Sequence, residues 1–321
     1  MAVYIFECEP EEKDFWQATF PDQVVCCVNG PFMTLDQAKD IADDAEVVSV
    51  FVKSQISEEM IAALPNLRMI ATRSTGFNHI NPAAESHGIT VSNVPSYGEN
   101  TVAEQAFALL LALSRKVVES VNRTRAGGMS QDGLMGFDLR GKTIGVIGTG
   151  RIGCHMLKMT SGFEMRRIAY DLYPNEDRAR ELDFMYVSLE QLVRESDIIS
   201  LHVALTPESH HMLNWEVLQY CKPSLVVINT ARGELIDTQV LLDFLHDGKI
   251  AAAGLDVFEG ESALIDGNPG NILQQLLSLP NVLITPHVAF DTKEAVERIR
   301  DTSVENIRGY FSQSPKNVVV R

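Results

Sequence analysis

Short apolar runs alternate with longer amphipathic stretches along most of this chain. From Thr143 the order is TIGVIG, a helix-patterned stretch from Arg151, RIAY, another such stretch near Leu189, and DIISLHV. It continues with LVVIN (Leu225 to Asn229), a helical stretch from Thr238 to Asp247, AAAGLDV, and VLIT (Val282 to Thr285). Alternation of that kind specifies a parallel sheet with crossover helices. The first hundred or so residues repeat the rhythm on a smaller scale with VYIF, VVSVF, LRMIAT and ITVSNV, which predicts a second α/β unit. Asn81 followed by Pro82 reads as an N-cap with proline at the first helical position. Val102 to Ser120, rich in Ala and Leu, reads as one long helix suited to connecting two domains. The helical pattern Thr292 to Phe311 and the tail VVVR follow the last strand of the central unit and can return to the first unit, making it discontinuous. The predicted class is α/β, with two doubly wound parallel-sheet domains.

Composition narrows the choices of function. A chain of 321 residues with 45% hydrophobic residues has enough apolar surface for about two folded domains. Its net charge of −16 repels phosphate backbones and anionic lipid heads, so neither a nucleic-acid nor a membrane partner is expected. The longest clean apolar run, Ala106 to Leu113, is far shorter than the roughly 20 residues of a membrane span. Met1 to Pro10 lacks a basic start and reads as a first strand, not a leader. Cys8, Cys26, Cys27, Cys154 and Cys221 are odd in number and form no C-x-x-C pair, as expected of buried thiols in a reducing cytoplasm, with no metal site. The sequon at Asn122 to Thr124 is then accidental.

Two glycine loops compete for phosphate chemistry. Gly136 to Thr143, GFDLRGKT, satisfies the P-loop pattern, but a strand follows it where a helix is required, so it reads as a turn. Gly148-Thr149-Gly150-Arg151-Ile152-Gly153 fits G-x-G-x-x-G directly after a strand and opens a helix. Gly148 permits the tight turn, Gly150 lets the backbone approach a pyrophosphate, and Gly153 allows helix to pack on strand. Asp171 ends the next strand at close to the roughly 20-residue offset of the acid that binds an adenosine ribose. Its carboxylate would repel a 2′-phosphate, so NAD is the expected cofactor.

Ligands of open α/β sheets bind at the carboxyl ends of the strands. There the chain has Thr230-Ala231-Arg232-Gly233 after LVVIN, Asp256 to Glu261 after AAAGL, and His287 after VLIT. An arginine, a carboxylate and a histidine beside a nicotinamide are what reduction of a 2-keto acid requires: a bidentate cation, a proton donor titrating near neutrality, and an acid that holds it.

With these blocks in place, the sequence resembles the D-isomer-specific 2-hydroxyacid dehydrogenases over nearly its whole length. The matching blocks are RSTGFNHI, NVPSYGENTVAEQAFAL, GKTIGVIGTGRIG, LHVALT, VVINTARGELID, GLDVFEGE and ITPHVAF. The resemblance implies a Rossmann-type NAD domain at 101–287 inserted into a flavodoxin-like substrate domain of 1–100 and 288–321, and a homodimer formed through the NAD domain. It implies that Arg232 binds substrate, that His287 is the acid/base, and that Glu261 hydrogen-bonds to His287, fixing its ring and raising its pKa. Backbone N–H groups of Thr75 and Gly76 would hold the substrate carboxylate, with Tyr97 nearby. Asp256 would lie near the nicotinamide, and Val203, Thr230 and Ala231 would line the cofactor cleft. His202, His210 and His211 remain structural or cofactor-lining residues.

Phe290, three residues after His287, resembles the aromatic that the D-lactate dehydrogenase branch places over the substrate side chain. Pyruvate is therefore the first choice of substrate. The alternatives are 2-ketoisocaproate, hydroxypyruvate or glyoxylate in the same fold, or a non-enzymatic NAD(H)-sensing protein like the family's co-repressor relatives. Phosphorylated substrates would need added cations, and Arg73 is the obvious nearby one. The chain departs from the family pattern at Gly76 to Asn81, GFNHIN, where an acidic G-x-D-x-x-D is common, and at Ala204, where proline is usual.

Overall fold

The computed structural model describes residues 1–261 and 270–320. These residues form two compact units, one of Met1–Tyr97 together with Thr292 onward, the other of Gly98–Asp291. The breaks fall at 97/98 and 291/292, against 100/101 and 287/288 expected from the sequence. Phe290 consequently lies in the second unit, not in the C-terminal part of the first, where the expected boundary had put it.

In the first unit the strands are β1 (Ala2–Ile5), β2 (Val24–Cys27), β3 (Ala45–Val50), β4 (Met69–Thr72) and β5 (Thr90–Ser92). Their spatial order is β5-β4-β3-β1-β2, all parallel, the doubly wound order of flavodoxin-like sheets. Strand β2, VVCC, is not among the four runs that predict this unit; it is an edge strand with only Val25 buried. The C-terminal segment does return: helix Lys293–Phe311, capped by Thr292, packs on this sheet. The later strand Val318–Val320 pairs antiparallel with β5. Buried Asn306 ties it in, donating from Nδ2 to the Asn93 carbonyl and accepting from Asn317 Nδ2, both at 2.8 Å. Asn81 accepts from the Ala83 N–H at 2.9 Å, but the N-cap of the short helix Ala83–Ser86 is Pro82, one residue later than expected, so proline precedes the helix and does not open it.

In the second unit the strands are β6 (Thr143–Ile147), β7 (Arg166–Tyr170), β8 (Met185–Tyr186), β9 (Ile198–Leu201), β10 (Val226–Asn229), β11 (Ala252–Leu255) and β12 (Val282–Ile284). They run parallel in the order β12-β11-β10-β9-β6-β7-β8. The order reverses between β6 and β9, and the crevice at that switch point is where a dinucleotide binds in a Rossmann sheet. Strands β6, β9 and β10 are buried along their whole length, because helices cover both faces of a parallel sheet. The predicted single helix from Val102 to Ser120 is two helices, Glu99–Ser114 and Val117–Arg125, broken at Lys116, whose φ is +50°. The Phe137 N–H donates to the Ser114 carbonyl at 2.9 Å, so the returning loop satisfies the first helix's end. The P-loop-like segment is thus a turn leading into β6. Among the described residues no helix is long and apolar enough to cross a membrane.

Candidate active site

The second unit brings the glycine loop, Asp171, Arg232, Asp256, Glu261 and His287 to the carboxyl ends of its strands. At the end of β6, Gly148 has φ +93°, and a Cβ there would stand 2.7 Å from Val203 Cγ1. A Cβ on Gly153 would meet the Gly148 carbonyl oxygen at 1.9 Å, so helix Arg151–Ser161 can start against β6 only with glycine at this position. Gly150 precedes that helix and has nothing within 4 Å of its Cβ position, which leaves the helix N-terminus open to an anion. Ile152 follows in its first turn, and Arg151 reaches Glu99 at 3.1 Å.

Asp171 accepts from the Thr149 N–H at 2.7 Å, from Thr149 Oγ1 at 2.8 Å and from the Tyr173 N–H at 2.9 Å. Burial pushes this carboxyl up, but the hydrogen bonds from Thr149 and Tyr173 outweigh it and hold the group below its ordinary value. It is ionised at neutral pH beside the glycine loop, as a ribose-binding acid must be. Arg178, which no sequence signal singled out, donates to the Thr149 carbonyl at 3.0 Å and secures the same loop. Thr230 Oγ1 is buried with no hydrogen-bond partner among the described residues, a donor left over for a bound cofactor. The open glycine cradle, the ionised Asp171 and this spare hydroxyl fit a dinucleotide.

At the end of β10, Asn229 holds both flanks of the arginine turn. Its Oδ1 accepts from the Ala231 N–H at 3.0 Å, and its Nδ2 donates to the Arg232 carbonyl at 2.8 Å. A buried polar residue closing an apolar strand is the sequence signal for this role. A Cβ on Gly233 would stand 2.1 Å from the Phe258 carbonyl carbon, so glycine lets the Arg232 turn lie directly on the loop that carries Glu261.

Glu261 Oε1 lies 2.9 Å from His287 Nδ1. His287 sits at φ +54°, a strained backbone held by its N–H to the Asp256 and Thr285 carbonyls. Asp256 is fully buried and its carboxylate accepts from Thr285 Oγ1, from the Val288 N–H at 3.0 Å and from the Ala289 N–H at 2.8 Å. The Asp256 carboxylate lies under the 285–289 turn, where it fixes the backbone around His287. His202 keeps Nε2 on Ser200 Oγ at 2.8 Å, and burial pushes its pKa down to about 4. It is uncharged at neutral pH.

Thr75, Gly76 and Tyr97 belong to the first unit. The loop after β4 is anchored by Asn93 Nδ2 donating to the Thr75 carbonyl at 2.7 Å and by Thr75 Oγ1 donating to the Val94 carbonyl at 2.8 Å. Ser74 Oγ donates to the Gly76 carbonyl at 2.6 Å, and the Tyr97 carbonyl accepts from Arg298 Nε. Arg73 corrects an expectation. Its guanidinium is buried among the Phe6 and Glu7 carbonyls and the rings of Trp16 and Phe51, so it is internal structure and offers nothing to a substrate phosphate.

Residues 107–289 match the family model described as D-isomer specific 2-hydroxyacid dehydrogenase, NAD binding domain. The chain is 39% identical over 285 residues to a D-lactate dehydrogenase of Escherichia coli, covering 86% of each chain. It is 40% identical over 252 residues to an aromatic 2-oxoacid reductase of Clostridium sporogenes, covering 76% of each. Its fold is similar to the crystal structure of a D-lactate dehydrogenase from Aquifex aeolicus complexed with NAD and lactic acid, with TM-score 0.91, 35% identity and 99% of each chain covered.

Proposed function

This chain belongs to the D-isomer-specific 2-hydroxyacid dehydrogenase family, an NAD-dependent oxidoreductase, and we propose that it is a D-lactate dehydrogenase reducing pyruvate. The observation that carries the reading is the 2.9 Å contact between Glu261 and His287, on a turn that also bears Phe290. With Nδ1 engaged by the carboxylate, Nε2 is the nitrogen left for substrate, and the tautomer is fixed. NADH, when bound, supplies the hydride to the keto carbon. The residues of the chain then manage charge. His287 hydrogen-bonds to the keto oxygen and gives it a proton from Nε2, and Arg232 binds the carboxylate and stabilises the oxygen as it becomes negative. Asn229 and Gly233 hold Arg232 in place. In the first unit, the family resemblance makes the backbone N–H groups of Thr75 and Gly76, with Tyr97, the substrate-binding candidates.

Gly148, Gly150, Arg151, Ile152 and Gly153 receive the pyrophosphate, Asp171 the ribose, and Val203, Thr230 and Ala231 line the cofactor cleft. Phe290, anchored through its neighbours Val288 and Ala289 by Asp256, supports a small apolar side chain over a charged one. A second reading, a longer or aromatic 2-keto acid, is favoured by the 40% identity to the aromatic 2-oxoacid reductase. The protein works as a homodimer through the NAD-binding unit. Val117, Val118, Val121, Met129 and Met135 are exposed there, the last two at 83% and 90%, an apolar surface suited to a second copy. Its five cysteines are free, which supports a reducing, cytoplasmic setting.

The test is the rate of NADH oxidation with pyruvate, 2-ketoisocaproate, phenylpyruvate, hydroxypyruvate and glyoxylate, for the wild type and His287→Gln. Pyruvate should lead, and His287→Gln should lower kcat by roughly 10²- to 10⁴-fold while NADH still binds. Turnover led by a bulky keto acid moves the protein to the second reading. Tight NADH binding with slow turnover on all five makes it an NAD(H) sensor.

A further inference from the structure

Three loops of the second unit meet beside the Glu261 segment and carry a ligand set that the reaction does not use. His210 and His211 lie in the turn after β9, Asp237 precedes helix Thr238–His246, and Glu259 follows β11. The rings of His210 and His211 stack with centroids 4.0 Å apart and 28° between planes. His211 Nε2 is 3.1 Å from Glu259 Oε1, and ligand atoms of His210, His211 and Glu259 all lie within 4.8 Å of one another. We propose that His210, His211 and Glu259 form a site for a borderline divalent transition-metal ion, zinc above all.

The donor set and its spacing support that assignment. Two imidazoles and one carboxylate suit Zn²⁺, Co²⁺ or Ni²⁺ and not the all-oxygen preferences of Mg²⁺ or Ca²⁺. Tetrahedral bonds of about 2.0–2.1 Å place neighbouring ligand atoms about 3.3 Å apart, and the His211–Glu259 pair already stands near that spacing. His210 is exposed and closes the remaining distance by side-chain rotation. The second ring nitrogen of His211, Nδ1, faces Asp237 Oδ2 at 4.0 Å, and a small rotation of the imidazole onto the ion would bring it into the hydrogen bond by which a carboxylate orients a metal-bound imidazole. That carboxylate is itself fixed, because Asp237 Oδ1 accepts from the Gln239 and Val240 N–H groups at 3.1 Å. The backbone is equally constrained. The His211 N–H donates to the Glu234 carbonyl at 2.8 Å, and Gly233 packs on Phe258 and Glu259. An ion here bridges the turn after β9 to the loop that two residues later presents Glu261, and it stabilises the folded state that holds the three ligands together.

The test uses full-length protein freed of metal by a chelator that is then removed. Co²⁺ is titrated by visible absorption, and Zn²⁺ by competition with a chromogenic chelator. The expected result is one ion per chain, a four-coordinate cobalt spectrum without thiolate charge-transfer bands, and a melting temperature raised by Zn²⁺. His210→Ala and Glu259→Gln should each weaken binding about tenfold or more, with circular dichroism and NADH affinity unchanged. Asp237→Asn, which keeps the helix cap, should weaken it about 10- to 100-fold. Three results overturn the proposal: no stoichiometric binding, equal affinity in the wild type and both ligand variants, or a thiolate band that puts the ion on cysteine.

Discussion

Asp256→Asn tests whether the buried carboxylate acts by holding the His287 turn. The wild-type group accepts one hydroxyl and two backbone N–H donors, from Thr285, Val288 and Ala289. An asparagine can keep its oxygen on only one backbone N–H and must point its own NH₂ at the other. Hydrogen bonds to charged groups contribute about 1.5–3 kcal/mol each, and a buried donor left unsatisfied costs about 1–3 kcal/mol. The substitution should therefore loosen the turn by about 3 kcal/mol, or about a hundredfold in how firmly His287 is held at φ +54°. Steady-state kinetics with the preferred keto acid, NADH affinity by fluorescence and urea unfolding measure the three consequences. Asp256→Asn should lower kcat/KM about a hundredfold and shift the urea midpoint down, with NADH affinity changed by less than about threefold. If NADH affinity instead falls in step with kcat/KM while the urea midpoint stays put, Asp256 acts on the cofactor and the positioning argument is wrong.

The other expectations concern the cofactor loop, the substrate cation and pH. Gly153→Ala puts a methyl carbon 1.9 Å from the Gly148 carbonyl oxygen, so the loop or helix must shift; calorimetry should show NADH binding lost or weakened by well over tenfold, and unchanged affinity would contradict the packing. Arg232→Lys keeps the charge but loses the planar fork, so the Michaelis constant for the keto acid should rise by about tenfold or more while NADH affinity holds. His202 has a folded pKa of about 4 against 6.5 unfolded. Between those values the unfolded chain binds more protons, so stability is full above pH 6.5 and falls as the pH drops toward 4, by at most about 3 kcal/mol. His202→Gln should flatten that part of the urea midpoint against pH; an unchanged slope would assign the acid lability to other groups.

Much of this protein is legible one residue at a time, because its strongest constraints are local. A buried parallel strand must be apolar along its length, so β6, β9 and β10 announce themselves as runs. A glycine loop against a helix N-terminus must have glycine at Gly148 and Gly153 whatever surrounds it. Arg232, Glu261 and His287 follow strand ends, where open α/β sheets present their ligand-binding groups, and their positions could be read before their contacts were known. What the sequence could not determine depends on partners distant along the chain. Lys116 breaks a continuous helical pattern because Phe137 comes back to satisfy Ser114. The short apolar run VVCC becomes edge strand β2 only by pairing with β1. Arg73 reads as an available cation until Trp16, Phe51 and two carbonyls enclose it. That the Asp256 carboxylate also holds the 285–289 turn depends on the fold of that turn over it. His210 and His211 are separated from Glu259 by β10, β11 and the helices Trp215–Leu218 and Thr238–His246, and they converge only when their two loops pack together. Periodicity records whether a residue faces water or core; which buried polar group meets which partner is decided by the folded backbone alone.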